Sequence, residues 1–261
     1  MHKLVPPQAP DVFAKGVAAF ILNGGSRLAP NRRWEAFRNE QPEAYKAARD
    51  QLYGNQAGLC AYCEIKLATN NQQIEHIIPK SMSLPDRDDT FEFSNFLLCC
   101  RGGTNTSSPR PDEYSTDPSL AVNRSCGEKK GAYFGSDFIS PCHLPAIPVF
   151  ELHYHPDDGV SFKVDPEVCA QHAIDPEKIE KTMDILGLNC PRLKRNRKVV
   201  WNMIQAELNT LPNREDEYAI KELAEAHLAP VNGECPPYVT TRFLYLMSFL
   251  SVPQLLGIVK W

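Results

Sequence analysis

The sequence has no long apolar run. Its longest, residues 243–250, falls far short of the roughly 20 residues that a bilayer-spanning helix needs, which argues against a membrane-embedded chain. It has no excess of positive charge either: 28 Lys and Arg against 32 Asp and Glu give a formal net charge of −4. Bulk charge therefore cannot hold a polyanion, and any such binding must use a local basic patch or a partner. The start of the chain lacks the apolar run of a secretory leader, no internal repeat is visible, and the nine cysteines are an odd count. A reducing cytoplasm fits these absences best. What is present is a 43% hydrophobic chain of 261 residues, enough for one large or two modest domains with real cores.

The cysteines are grouped. Residues 60–131 contain CAYCE (60–64), IEHIIPKS (74–81), NFLLCC (95–100) and SCGEKKG (125–131), so two cysteine knuckles bracket one Glu-His dipeptide. Thiolates are good zinc ligands and a Cys-x-x-Cys pair can bend around one ion, so Cys60 and Cys63 supply half of a tetrahedral site. Cys99, Cys100 and Cys126 are available for the rest, and Cys100 with Cys126 would close a four-cysteine site. An ion bound that way is structural, because no position stays open for water or substrate. Chemistry then falls to His76. Alone in an apolar strand of Ile74, Ile77 and Ile78 it would read as a core histidine; beside Glu75 and inside a cysteine frame it reads as a base. Asn95 can cap a turn or serve a site, and Lys129 and Lys130 can form a solvated face or meet phosphate. A lone Cys-x-x-Cys also marks thioredoxin-like redox pairs, but residues 53–73 lack the strand-turn-helix setting those need.

The order CxxCE, EHxxPKS, NxLxxC, CxxxKG resembles the HNH endonuclease superfamily. QAGLCAYCE (56–64), IEHIIPKS and LGLNCPRLKRNRK (186–198) resemble, more narrowly, the HNH nuclease subunit of Septu-type anti-phage defence, also found as a retron effector. The likeness is closest over residues 53–131, less close over 183–200 and weakest at both ends. It implies a ββα-metal module that hydrolyses phosphodiester bonds, with His76 as general base, Glu75 holding Mg2+ or Mn2+ on the scissile phosphate, and Asn95 orienting the base. It also implies Cys60, Cys63, Cys100 and Cys126 as structural zinc ligands, Cys100 rather than Cys99 matching the ligand position. A neutral imidazole and a hard oxygen ligand suit those roles. An ATPase subunit of a defence complex is the implied partner, and nucleic acid the substrate, with DNA favoured over RNA or tRNA. One departure stands out. Many members carry Asn or His after the last knuckle cysteine as a further cation ligand, whereas Gly127 follows Cys126 here. Glu128, Asn123, Asn95 or a partner is left to fill that role.

Around this stretch the periodicity is mostly helical. Asp11 reads as the N-cap of a first helix ending at Asn23, and a second is expected over about 41–53. Residues 101–123 read as an insertion between zinc ligands, solvated or contacting substrate or a partner. Alternation over 149–164 predicts a β-hairpin, on which His153 and His155 occupy the polar face; Cys142-His143 is a spare ligand pair. Helices are expected from Pro176 to Gly187, from Pro191, and over about 215–228 and 239–250. Arg192, Lys194, Arg195, Arg197 and Lys198 form the densest basic cluster, either a solvated face with stems on the core or a phosphate-contacting one. The expectation is an α+β protein: a helical segment (1–58), a zinc-stapled ββα nuclease module (59–140), and a hairpin plus helices for partner docking (141–261). The alternative is a non-catalytic zinc module that binds nucleic acid or protein.

Overall fold

Three helices lead into the cysteine region. The computed structural model, which describes residues 1–82, 89–104, 121–214 and 216–259, places α1 at Asp11–Leu22, α2 at Pro30–Glu40 and α3 at Pro42–Asn55. Pro10, not Asp11, occupies the N-cap of α1; Asp11 already lies in the first turn. Prolines open α2 and α3, where the missing N–H costs nothing and the fixed φ suits the helix. Sequence periodicity did not indicate α2, because only Trp34 and Phe37 on it are buried, too few to show a helical period.

An antiparallel pair follows, β1 (Gln73–His76) and β2 (Phe96–Cys99), with Glu75 opposite Leu97 and His76 opposite Phe96. β1 is shorter than its isoleucines suggest. It stops at His76, and Ile77 and Ile78 lie beyond it, half-buried. Every residue of β2 is buried. Its Phe96 packs edge-on to Phe13 of α1 at 5.8 Å and to Trp34 of α2 at 5.2 Å. Each such ring contributes about 1.5–3 kcal/mol of burial, so the aromatic cluster anchors the sheet to the helices. The short helix α4 (Cys126–Lys130) completes this part. Most of the 101–123 insertion lies outside the described residues.

The expected hairpin is β3 (Phe150–His155) with β4 (Gly159–Val164). Helices α5 (Pro166–Gln171), α6 (Pro176–Leu186), α7 (Pro191–Thr210), α8 (Glu217–Leu228), α9 (Val239–Leu246) and α10 (Val252–Val259) follow. Asp165, Asp175 and Asp216 cap α5, α6 and α8 through side-chain oxygens. Buried apolar residues from all three sequence segments belong to one core. Backbone bonds tie them further: Cys235 N donates to Ala57 O at 2.9 Å and Tyr238 N to Glu64 O at 2.8 Å.

The basic cluster of α7 is largely consumed internally. Arg192 and Arg197 are each only 1% exposed. The Arg197 guanidinium lies 4.0 Å over the Phe162 ring and donates to the Val160 and Leu188 carbonyls, Lys194 pairs with Asp158, and Lys198 donates to Pro156 O. Among these five residues only Arg195 is exposed. Of the two readings weighed for the cluster, packing against the core prevails, and for two arginines the charge itself is inside.

Candidate active site

The cysteine knuckles converge. The Sγ atoms of Cys60, Cys63, Cys100 and Cys126 are all buried and lie within 4.8 Å of one another. Individual separations are 3.8 Å for Cys60–Cys126, 3.7 Å for Cys100–Cys126 and 3.6 Å for Cys63–Cys100. A tetrahedron with Zn–S bonds near 2.3 Å has edges of about 3.8 Å, so the set fits zinc. Local geometry supports it: Cys100 N points at Cys60 Sγ (3.3 Å) and Gly102 N at Cys100 Sγ (3.4 Å), as backbone donors do around a thiolate. Gly102 has a positive φ of 52°, and a Cβ there would sit 2.1 Å from Ser125 O, so the turn requires glycine. Cys99 is outside the cluster. It precedes Cys100 on an extended chain, and successive side chains point to opposite faces.

Burial opposes ionisation of Cys60, but hydrogen bonds from Cys100 and Cys126 outweigh it and hold that thiol well below its ordinary pKa. Burial pushes Cys63 and Cys126 well above theirs. Metal binding must therefore expel protons from the cluster. Arg192 lies close by, donating from Nη2 to Ser125 Oγ at 2.7 Å; burial opposes its charge, and the negative charge of Cys100 and Cys63 in their thiolate form outweighs that and favours the guanidinium.

Glu75 and His76 sit at the end of β1 and both line a cleft of about 340 Å³, together with Asn31, Pro79, Lys80, Ser81 and Gly131. Another cavity of about 340 Å³ is lined by Ile78, Asp89, Glu92, Asn95, Cys142 and His143, but neither Glu75 nor His76 reaches it, so the chemistry is assigned to the first. The Glu75 Oε1 atom accepts from Lys130 Nζ at 2.9 Å, and the same ammonium donates to His76 O at 3.1 Å. Burial raises the Glu75 carboxyl above its usual range, against the pull of Lys130 and Lys80.

The His76 ring is held between Trp34 (4.7 Å) and Phe96 (4.8 Å), both edge-on, and its Nε2 donates to Thr90 O at 3.1 Å. That bond leaves the lone pair on Nδ1. Asn95 acts on the same segment from behind: its Oδ1 accepts from Ile78 N (2.7 Å), and its Nδ2 donates to Ile78 O (3.0 Å) and Asp89 O (3.1 Å). It thus fixes the residue next to the carbonyl that orients His76. None of its amide bonds goes to the imidazole itself.

Burial lowers the His76 pKa from 6.5 to about 3, with Lys80 adding to the shift and the Thr90 carbonyl opposing it. The folded protein then binds fewer protons here than the unfolded chain between those values, so this stability is full above pH ~6.5 and lost as pH falls toward ~3, by up to about 1.4 kcal/mol per pH unit. His76→Phe keeps a ring and removes the titration. Melting curves from pH 7 to pH 4 should show the wild type losing stability faster than His76→Phe; parallel losses would mean that the imidazole is not buried neutral.

The residues offered for the position after the last knuckle cysteine are engaged elsewhere. Glu128 accepts from Gln73 Nε2 (3.0 Å), Asn123 Oδ1 accepts from Arg192 N (3.3 Å), and Asn95 clamps Ile78. A Cβ at Gly127 would lie 2.5 Å from Glu75 Oε2 and 3.2 Å from Cys99 Sγ, so a side chain there would have to displace the Glu75 carboxylate. The sequence reading missed Lys130 as the partner of Glu75, Trp34 as the wall against His76, and the Thr90 carbonyl. Only the basic CxxxKG ending signalled the first. It also missed Glu64, which is buried in the knuckle, accepts from His2 Nδ1 (2.8 Å), Thr240 N (2.9 Å) and Thr240 Oγ1 (2.5 Å), and is structural. His153 and His155 are exposed, and neither joins a metal-binding group among the described residues.

No family model matches the chain. It is 33% identical over 195 residues, 69% of its own length and 74% of the relative's, to a protein of Escherichia coli named as an HNH endonuclease of retron Ec83. It is 31% identical over 157 residues, 59% of its length and 62% of the relative's, to the similarly named protein of retron Vc95 from Vibrio cholerae serotype O1 biovar El Tor. The chain therefore belongs to the retron HNH endonuclease family. No helix among the described residues is long and apolar enough to cross a membrane.

Proposed function

We propose that this protein is a nuclease that hydrolyses phosphodiester bonds in nucleic acid, DNA in preference to RNA, as the effector of a retron-type anti-phage complex. The observation that carries the proposal is the meeting of Glu75 and His76 in one cleft beside a cysteine cluster that can hold zinc without their help. In this reading β1, β2 and α4 are the ββα-metal module and the cysteines its structural zinc site. The Glu75 carboxylate, held by Lys130, is the hard ligand for Mg2+ or Mn2+, which would supply positive charge at the scissile phosphate. Nδ1 of His76 takes the proton of the attacking water while the Thr90 carbonyl holds the ring and Asn95 holds that segment. Gating by an ATPase subunit of the Septu type, docked on residues 141–261, deepens the same proposal; support comes from the likeness over residues 186–198.

The other reading, a non-catalytic zinc module, draws on the burial of the His76 ring and the closed Glu75–Lys130 pair. Zinc-loaded protein with Mg2+ or Mn2+ should cut at least one of plasmid, single-stranded DNA and tRNA when the proposed ATPase subunit is present. Binding without cleavage in every arm would favour the non-catalytic module.

A further inference from the structure

With the α7 cluster turned inward, a nuclease of net charge −4 must take hold of a polyanion elsewhere. The helix that the sequence did not announce carries the cations. Residues 27–40 contain Arg27, Arg32, Arg33 and Arg38 against Glu35 and Glu40. Arg33 is tied down on the Ser26 and Leu28 carbonyls, at 3.0 and 2.9 Å. Arg32 and Arg38 are exposed, and neither makes a hydrogen bond or an ion pair among the described residues.

This helix borders the cleft. Asn31 is part of the cleft wall, Trp34 packs on His76, and Lys80 Nζ, also at the cleft, lies 5.9 Å over the Trp34 ring. Asn31, Glu35 and Arg38 follow one another at i, i+4 and i+7, so Arg38 continues the face that Asn31 begins. Lys80 lies within electrostatic reach of both Glu35 and Arg38. The rim thus sets Arg38 and Lys80 against the carboxylate of Glu35, with Arg32 about a quarter-turn further round the exposed side of the helix, while Glu75 within is already matched by Lys130. Arg32 and Arg38 are about 9 Å apart along the helix axis, about the rise of three nucleotides of one strand.

We infer that the exposed face of α2 with Lys80 is the track on which the phosphate backbone of a nucleic-acid strand is laid as it enters the cleft at Glu75 and His76. The inference rests on the nuclease reading and adds the surface that binds substrate. Backbone contacts of this kind position the strand and read no bases, so the track is indifferent to sequence.

The test is fluorescence anisotropy with a labelled duplex DNA and a labelled single-stranded RNA, on full-length zinc-loaded protein without added Mg2+ or Mn2+, over a series of salt concentrations. Arg32→Gln/Arg38→Gln should weaken binding about tenfold and lower the slope of log affinity against log salt by about 2, each single variant by about 1. Arg195→Gln should change neither quantity. Zinc content and melting of each variant, measured alongside, should match the wild type, so that a loss of binding reports charge and not folding. Unchanged affinity and slope in the double variant, with wild type that binds and cuts, overturns the track and leaves the nuclease standing. Wild type that binds neither probe overturns the track, and the cleavage assay with the proposed ATPase subunit present then decides the nuclease reading on its own.

Discussion

Cys60→Ser is expected to abolish zinc binding and unfold the centre of the chain. Zinc sites of this kind contribute on the order of 10 kcal/mol of folding free energy, which is comparable with the 5–15 kcal/mol that holds an ordinary domain together. The structure strengthens the expectation. Cys60 Sγ contacts Cys126 Sγ at 3.8 Å and accepts from Cys100 N, so its loss disturbs both knuckles at once. Cys126→Ser should behave alike. Cys99→Ser should be much milder, because that thiol stands outside the cluster and its contacts are Gln73 Nε2 at 3.9 Å and the backbone N–H of Gly127. Metal analysis and thermal melting of the three variants decide the matter; a Cys60→Ser protein with full zinc and an unshifted melting temperature would remove the cluster from consideration as a metal site.

His76→Ala should reduce cleavage by about 10² to 10⁴, or roughly 3–5 kcal/mol of barrier, which is what a general base typically contributes. Zinc content should be unaffected, since the four thiols close their site without the imidazole. The fold should suffer somewhat: the ring fills the space between Trp34 and Phe96, and emptying it leaves a cavity that costs a few kcal/mol. His76→Phe separates the two effects, because it keeps most of the packing and cannot accept a proton. It should be as inactive as His76→Ala and closer to wild type in melting.

The centre of the molecule was legible in the sequence because its chemistry is local. Knuckle spacing picked out Cys60 and Cys63, and the choice of Cys100 over Cys99 agrees with the alternation of an extended chain. The hairpin of β3 and β4 and the helices α6 and α7 announced themselves through alternation, proline starts and the glycine at the end of α6. What stayed hidden depends on contacts across the chain. Trp34 meets His76 only because α2 folds over the sheet, and a helix with two buried residues gives no periodic signal. Lys130 finds Glu75 55 residues away, and the burial of Arg192 and Arg197 depends on the hairpin and the knuckle packing over them. A run of basic residues looks the same in sequence whether it faces solvent or a ring such as Phe162.

The most direct test of the account is a side-by-side cleavage assay of zinc-loaded wild type and His76→Phe, each with the proposed ATPase subunit, in the presence and in the absence of Mg2+. The account predicts strand cleavage by the wild type only when Mg2+ is present, and none above background by His76→Phe in either condition, although both proteins carry equal zinc. Equal cleavage by the two would contradict it, since a phenylalanine at the end of β1 cannot take a proton from water.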